Sequence, residues 1–156
     1  MAMQATSTGL LGVGYEGRNL SEFVDQLIAD SVEHLVDVRL TPISRKPGFS
    51  KNALREALAA VGIGYEHRPE LGNPRPNRAG FSGDERALHR ARTVYAATLS
   101  EPAAAQAVQD LAVMAQSARV AVLCFEADQD RCHRHVVLTH VAKRRVSKAD
   151  SRRPAR

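Results

Sequence analysis

No stretch of this sequence approaches the roughly 20 consecutive apolar residues that a membrane-spanning helix needs, and no membrane span is expected in it. The first eleven residues, MAMQATSTGLL, have neither a charged start nor a full apolar run, and no secretory signal is expected. Cysteine is scarce. Cys124 and Cys132 are the whole supply, too few for a disulfide framework, and the expectation is a reduced, cytoplasmic chain. Aromatic residues are few and tryptophan is absent, and no internal repeat is found. The apolar fraction of 44% is ordinary for a globular protein, and 156 residues suffice for one domain with a real core.

The formal charge of +5 is local. From Lys143 onward there are seven basic residues and one acid, and the rest of the chain holds 15 basic and 16 acidic residues, a net of −1. Residues 9–143 therefore read as one α/β domain, 1–8 as a disordered N-terminus and 144–156 as a basic, disordered tail. Such a tail can contact nucleic acid or acidic partners through counterion release, or simply aid solubility.

Thr8 to Tyr15 read as a first strand ending in glycines. Asn19 and Glu22 have capping-box spacing at the start of a helix that places Phe23, Leu27 and Ile28 on one face. Leu35 to Arg39 read as a second strand, with Leu35, Asp37 and Arg39 on one face and Val36 and Val38 on the other. After the loop TPISRKPGFS, Ser50 is expected to cap a helix with Leu54, Ala57, Leu58 and Val61 inward and Gly62 at its end. Ile63 to His67 is a weak third strand. A connection broken by Pro69, Pro74, Pro76, Gly72, Gly80 and Gly83 follows, with Arg68, Arg75 and Arg78 in it. Loops of this length are usually functional or disordered. Helices are expected over about Asp84 to Leu99 and Pro102 to Gln116, where Pro102 suits a first helical position.

Val120 to Phe125 is a short apolar run bounded by charge, as in a strand buried on both faces. Asp128 or Asp130 can cap the helix that follows, expected over roughly Arg131 to Lys143. The alternation predicts an α/β fold. It is a single, Rossmann-like domain with a mostly parallel four-stranded sheet flanked by helices, and its strand order is taken as 3-2-1-4. That order puts Tyr15, Glu16, Gly17 and Arg18 beside Glu126 to Arg134 at a switch point, with Asp37 and Arg39 one strand away. Ligands of open α/β sheets bind beyond the carboxyl ends of the strands.

Several separated stretches carry a family resemblance: GYEGR (14–18), DVR (37–39), PISRKPGFS (42–50), ELG (70–72), CFEAD (124–128) and CHR (132–134). In this order, from about Gly9 to Lys143, they resemble the family known as domain of unknown function 488. The resemblance implies a compact cytoplasmic α/β domain and brings no activity with it. The basic tail lies outside the shared pattern.

The chemistry is then a matter of which residues converge. Gly12, Gly14 and Gly17 with Asp37 formally make a dinucleotide fingerprint. Its context is poor, because the helix cap is Asn19 and Glu16 would face the phosphate. Arg18, Arg39, Arg45 and Arg134 follow strand ends or helix starts, and an Arg fork suits phosphate or carboxylate. Pairing of the arginines with Glu16, Asp37 and Glu126 is the structural alternative. Cys132, beside His133 and Arg134 near a helix start, should have a lowered pKa. The spacing of a phosphatase loop is absent, however, and adjacent Cys and His on a helix diverge. Glu126, Asp128, Asp130 and Asp37 offer oxygens that would suit Mg²⁺, whereas Cys124, Cys132, His133 and His135 lack zinc-finger spacing, so no metal ligands are assigned.

The first functional expectation is an enzyme-like domain binding a phosphate-bearing ligand, either a nucleotide or a nucleic-acid end. Glu126, Asp37 and Cys132 are its catalytic candidates. Tyr15, Glu16, Gly17, Arg18, Arg39, Ser44, Arg45, Asp128, His133 and Arg134 are its binding candidates. The alternative is a non-catalytic nucleic-acid- or protein-binding module using the Arg-rich loop and the tail.

Overall fold

The computed structural model describes residues 9–144. The disordered N-terminus and most of the basic tail expected from the sequence lie outside the described residues. Four strands, β1 (Gly9–Gly14), β2 (His34–Asp37), β3 (Gly64–His67) and β4 (Arg119–Cys124), form one parallel sheet. Among the described residues five α-helices accompany them: α1 (Leu20–Ala29), α2 (Lys51–Ala59), α3 (Glu85–Thr98), α4 (Pro102–Ser117) and α5 (Arg134–Ala142). The α/β class and the flanked parallel sheet are as the alternation of patterns implies. Among the described residues no helix is long and apolar enough to cross a membrane.

The strand order is β1-β4-β2-β3, not 3-2-1-4. β4 is inserted between β1 and β2, pairing Val120 with both Leu10 and His34. Composition explains the placement. Val120 to Leu123 are fully buried, so this strand can be covered on both faces and bonded on both edges. β1, with Gly9, Gly12 and Gly14, takes an outer place and is mostly half-buried.

Period-two alternation divides the core into two layers. Val36, Val38, Val120, Val122 and Cys124 face α3, α4 and α5. Leu35, Ala121 and Leu123 face α1 and α2, against Phe23, Leu27, Leu54 and Leu58. β4 is thus followed by a helix on one face, while its neighbours β1 and β2 are followed by helices on the other. The loops leave the carboxyl edge in opposite directions and open a crevice there.

Local signals behave unevenly. Asn19 and Glu22 form the reciprocal capping box, each accepting from the other's backbone N–H at 2.8 Å. Ser50 occupies the N-cap position of α2 but makes no cap bond. Its hydroxyl accepts from Ser44 N and donates to Ser44 O instead, tying off the 44–50 loop. Ile28 and Val61, expected inward, are exposed. Asp128 caps a short 3-10 turn at Gln129–Arg131, accepting from Asp130 N, and α5 starts only at Arg134. The long Pro/Gly connection is ordered as three 3-10 turns and buries Leu71, Asn73 and Phe81.

Candidate functional site

At the carboxyl edge of the sheet lies a cleft of about 190 Å³. Cys124, Glu126, Cys132 and His133 line it. Apolar Leu40, Ile43, Phe81 and Phe125 and polar Tyr15, Arg39, Thr41, Asn73, Arg78 and Arg131 complete the lining. Three of the apolar residues, Leu40, Ile43 and Phe125, are exposed at 40%, 74% and 43%, so the lip of the cleft is greasy and open.

The first strand's end and the turn after β4 meet here. Tyr15 and Glu16 donate their N–H groups to Phe125 O at 3.1 and 2.9 Å, and Ala127 N donates to Glu16 Oε1 at 3.0 Å. Gly12 and Gly14 make this seam fit. A Cβ on Gly14 would overlap the Glu126 carbonyl, and one on Gly12 would overlap the Gln129 amide, with Arg134 close to both. These two glycines admit a neighbouring turn and an arginine, not a pyrophosphate. Helix α1 starts beyond them at Leu20, so the dinucleotide fingerprint has no phosphate-facing helix end.

Asp37 and Arg39 form a closed network on the α1–α2 face. Asp37 accepts from Arg39 Nε at 2.9 Å, Arg39 Nη2 at 2.7 Å and Tyr65 OH at 2.5 Å. Arg39 Nη1 donates to Phe49 O at 2.7 Å and Tyr15 OH at 3.1 Å. Burial alone would loosen Arg39's proton, but the Asp37 carboxylate outweighs it and the pKa rises. Burial and the same carboxylate hold Tyr65 above the ordinary tyrosine range. Asp37 is fully buried and does not line the cleft, so neither an acid–base role nor Mg²⁺ ligation finds a free oxygen there.

Arg134 is buried and faces inward. Its Nη1 donates to Glu126 O at 2.6 Å and to Cys124 Sγ at 3.1 Å, and its Nη2 to Ala127 O at 3.3 Å. It clamps the turn that shapes the cleft. Burial lowers its pKa, opposed by the charges of Glu126 and Asp128. His133 Nε2 lies 2.9 Å from Val38 O, and its ring packs edge-on to Tyr95. Burial drives the His133 pKa down to about 4 against the pull of the Val38 carbonyl, so the ring is neutral near pH 7.

The cysteines depart from expectation. Cys124, the last residue of β4, and Cys132, two residues before α5, are joined as a disulfide. The turn 125–131 folds back and brings the eight-residue separation together. Cys132 is 1% exposed, which together with the pairing removes the free thiol that a nucleophile requires. Cys124, Cys132 and His133 place one ligand-type atom each within 4.8 Å of one another. Glu126, Asp128, Asp130 and Asp37 make no such group among the described residues.

Of the residues singled out from the sequence, Tyr15, Arg39, Glu126, Cys132 and His133 line the cleft. Glu16, Gly17, Arg18, Ser44, Arg45, Asp128 and Arg134 do not. Arg18 and Arg45 are exposed on the surface. Gly17 occupies a left-handed turn at φ +78°, and the Lys46 ammonium straps that turn to the 42–50 loop through Tyr15 O and Arg18 O. Sequence reasoning missed Thr41, Asn73 and Arg131 and the apolar lip. Asn73, Arg78 and Phe81 carried the one available signal, a long Pro/Gly connection.

A model of the family described as domain of unknown function DUF488 matches residues 19–141. No curated protein and no solved structure matches the chain.

Proposed function

The chain belongs to the DUF488 family, and from that premise we propose that it binds a small phosphate-bearing ligand, a mononucleotide or a nucleic-acid end, in the cleft at the carboxyl edge of the sheet. One observation carries this reading. Arg78 and Arg131 line the cleft and form no ion pair with a carboxylate among the described residues. Their bonds go to backbone carbonyls, Arg78 Nε to Asn73 O and Arg131 Nη1 to Gly83 O, and these position the forks without neutralising them. Among the described residues Glu126 is the one carboxylate in the lining, so the local balance is positive and favours an anion. The lip of Leu40, Ile43 and Phe125 offers a flat apolar group, such as a nucleobase, a surface to rest on.

Size narrows the class. A cleft of about 190 Å³ is smaller than the roughly 300–1,000 Å³ typical of drug-sized ligands, which favours a mononucleotide over a dinucleotide. Glu126, which lines the cleft, would act as acid or base if chemistry follows binding. The test is thermal shift and calorimetric titration with inorganic phosphate and the nucleoside monophosphates. The expected result is stabilisation by a monophosphate, lost in Arg78→Ala and Arg131→Ala. Absence of any shift, or equal binding by both variants, overturns the reading.

A further inference from the structure

We propose that the reduced chain holds a divalent transition-metal ion, Zn²⁺ by its chemistry, on Cys124 Sγ, Cys132 Sγ and His133 Nδ1 in the lining of the cleft. This inference does not rest on the phosphate-ligand reading. Three observations carry it. The three ligand-type atoms already lie within 4.8 Å of one another, two sulfurs and one imidazole nitrogen, the donor set that zinc prefers.

The second is the orientation of the histidine. Val38 O can only accept, so His133 Nε2, 2.9 Å away, carries the ring proton, and the lone pair sits on Nδ1. That lone pair faces Cys132 Sγ at 3.8 Å, where the disulfide sulfur has no proton to give. A histidine whose far nitrogen is fixed by a backbone carbonyl while the near one points at thiolates is how metal-binding histidines are held.

The third is the surroundings of the sulfurs. Arg134 N–H is directed at Cys132 Sγ from 3.5 Å, and Arg134 Nη1 at Cys124 Sγ from 3.1 Å, so each thiolate has a donor. Two thiolates, the Glu126 carboxylate, the Arg134 guanidinium and a divalent ion sum to zero charge. Glu126 Oε2 lies 3.4 Å from Cys124 Sγ, and all three ligand residues line the cleft, so a fourth ligand would come from that side. Three protein ligands with one open place is the arrangement of reactive rather than purely structural zinc.

The route to the metal form balances. An external reductant, such as a dithiol or a phosphine, breaks the S–S bond. Two electrons and two protons pass to the sulfurs while the reductant is oxidised. Ion binding then releases the two thiol protons.

The experiment uses the full-length chain, reduced with a phosphine, freed of reductant without air and titrated with Co²⁺. Expected are one equivalent bound, a thiolate-to-cobalt charge-transfer band with tetrahedral ligand-field bands, and displacement by Zn²⁺. The unreduced chain should show none of this. Zn²⁺ should also protect both cysteines of the reduced wild type from iodoacetamide, read by mass spectrometry, which needs no variant. Cys124→Ser and Cys132→Ser should lose the charge-transfer band, and His133→Ala should bind more than about tenfold weaker. No charge-transfer band in the reduced wild type, no protection by Zn²⁺, or a band that survives Cys132→Ser overturns the proposal.

Discussion

Two polar clusters sit at the same edge of the sheet, one on each face of it. Around Asp37 and Arg39, the carboxylate and guanidinium are matched to each other, to two tyrosines and to a carbonyl. Around Cys124, Cys132 and His133, a ring nitrogen faces a disulfide and a buried Arg134 Nε has no partner. Two arginines above that cluster lack a carboxylate partner among the described residues. From sequence both groups look equally functional, since each mixes acids and arginines after a strand. What separates them is whether hydrogen-bonding capacity is used up. The first cluster locks β2 to the 42–50 loop, and the second is left open to whatever enters the cleft.

The comparison can be broken hardest at its closed side. Asp37→Ala leaves the Arg39 guanidinium buried and alone, and should destabilise the chain by about 3–5 kcal/mol in denaturant unfolding. Replacing both partners, Asp37→Leu with Arg39→Met, should recover most of that loss. A single replacement that proves harmless would mean that the network does not hold the fold.

Acid attacks the open side. His133 titrates at about 4 in the folded chain against 6.5 ordinarily, so the unfolded state binds the extra proton between these values. Stability is therefore complete above pH 6.5 and falls as pH drops towards 4. The loss between pH 7 and pH 5 should be about 2 kcal/mol. Subtracting the profile of His133→Gln isolates it, and identical profiles would remove the effect.

The seam between the clusters gives an effect of similar size. Gly14→Ala pushes a methyl into the Glu126 carbonyl and should destabilise by about 1–3 kcal/mol, seen as a lower Tm. Smallest for stability, and sharpest for the comparison, is Arg78→Ala. Within about 0.5 kcal/mol the fold should not notice, because Arg78 is exposed. Only ligand binding should change.

Much of the scaffold was readable because it rests on local rules. The Asn19–Glu22 cap, Pro102 at a helix start, the alternating faces of β2 and the doubly buried β4 follow from spacing alone. The meeting of Tyr15–Glu16 with the turn after Phe125 was also legible, since strand ends of a parallel sheet share an edge. Strand order was not. A buried run announces that it has two neighbours but does not say which, and β4 went between β1 and β2. Partner choice was likewise hidden. Arg39 and Arg134 look like clamps in sequence, yet one is satisfied by Asp37 two residues away, and the Nη groups of the other go to carbonyls of a turn. The cysteine pair was missed because nothing in an eight-residue gap reveals that the turn doubles back.

The position of β4 also orders events during synthesis. β2 and β3 can pair as soon as they emerge, but among the described residues β1 bonds only to a strand some 110 residues later. A nascent chain must therefore carry β1 without this partner until Arg119–Cys124 has been made. The glycines of β1, poor at holding a strand alone, leave that waiting segment with little tendency to pair elsewhere.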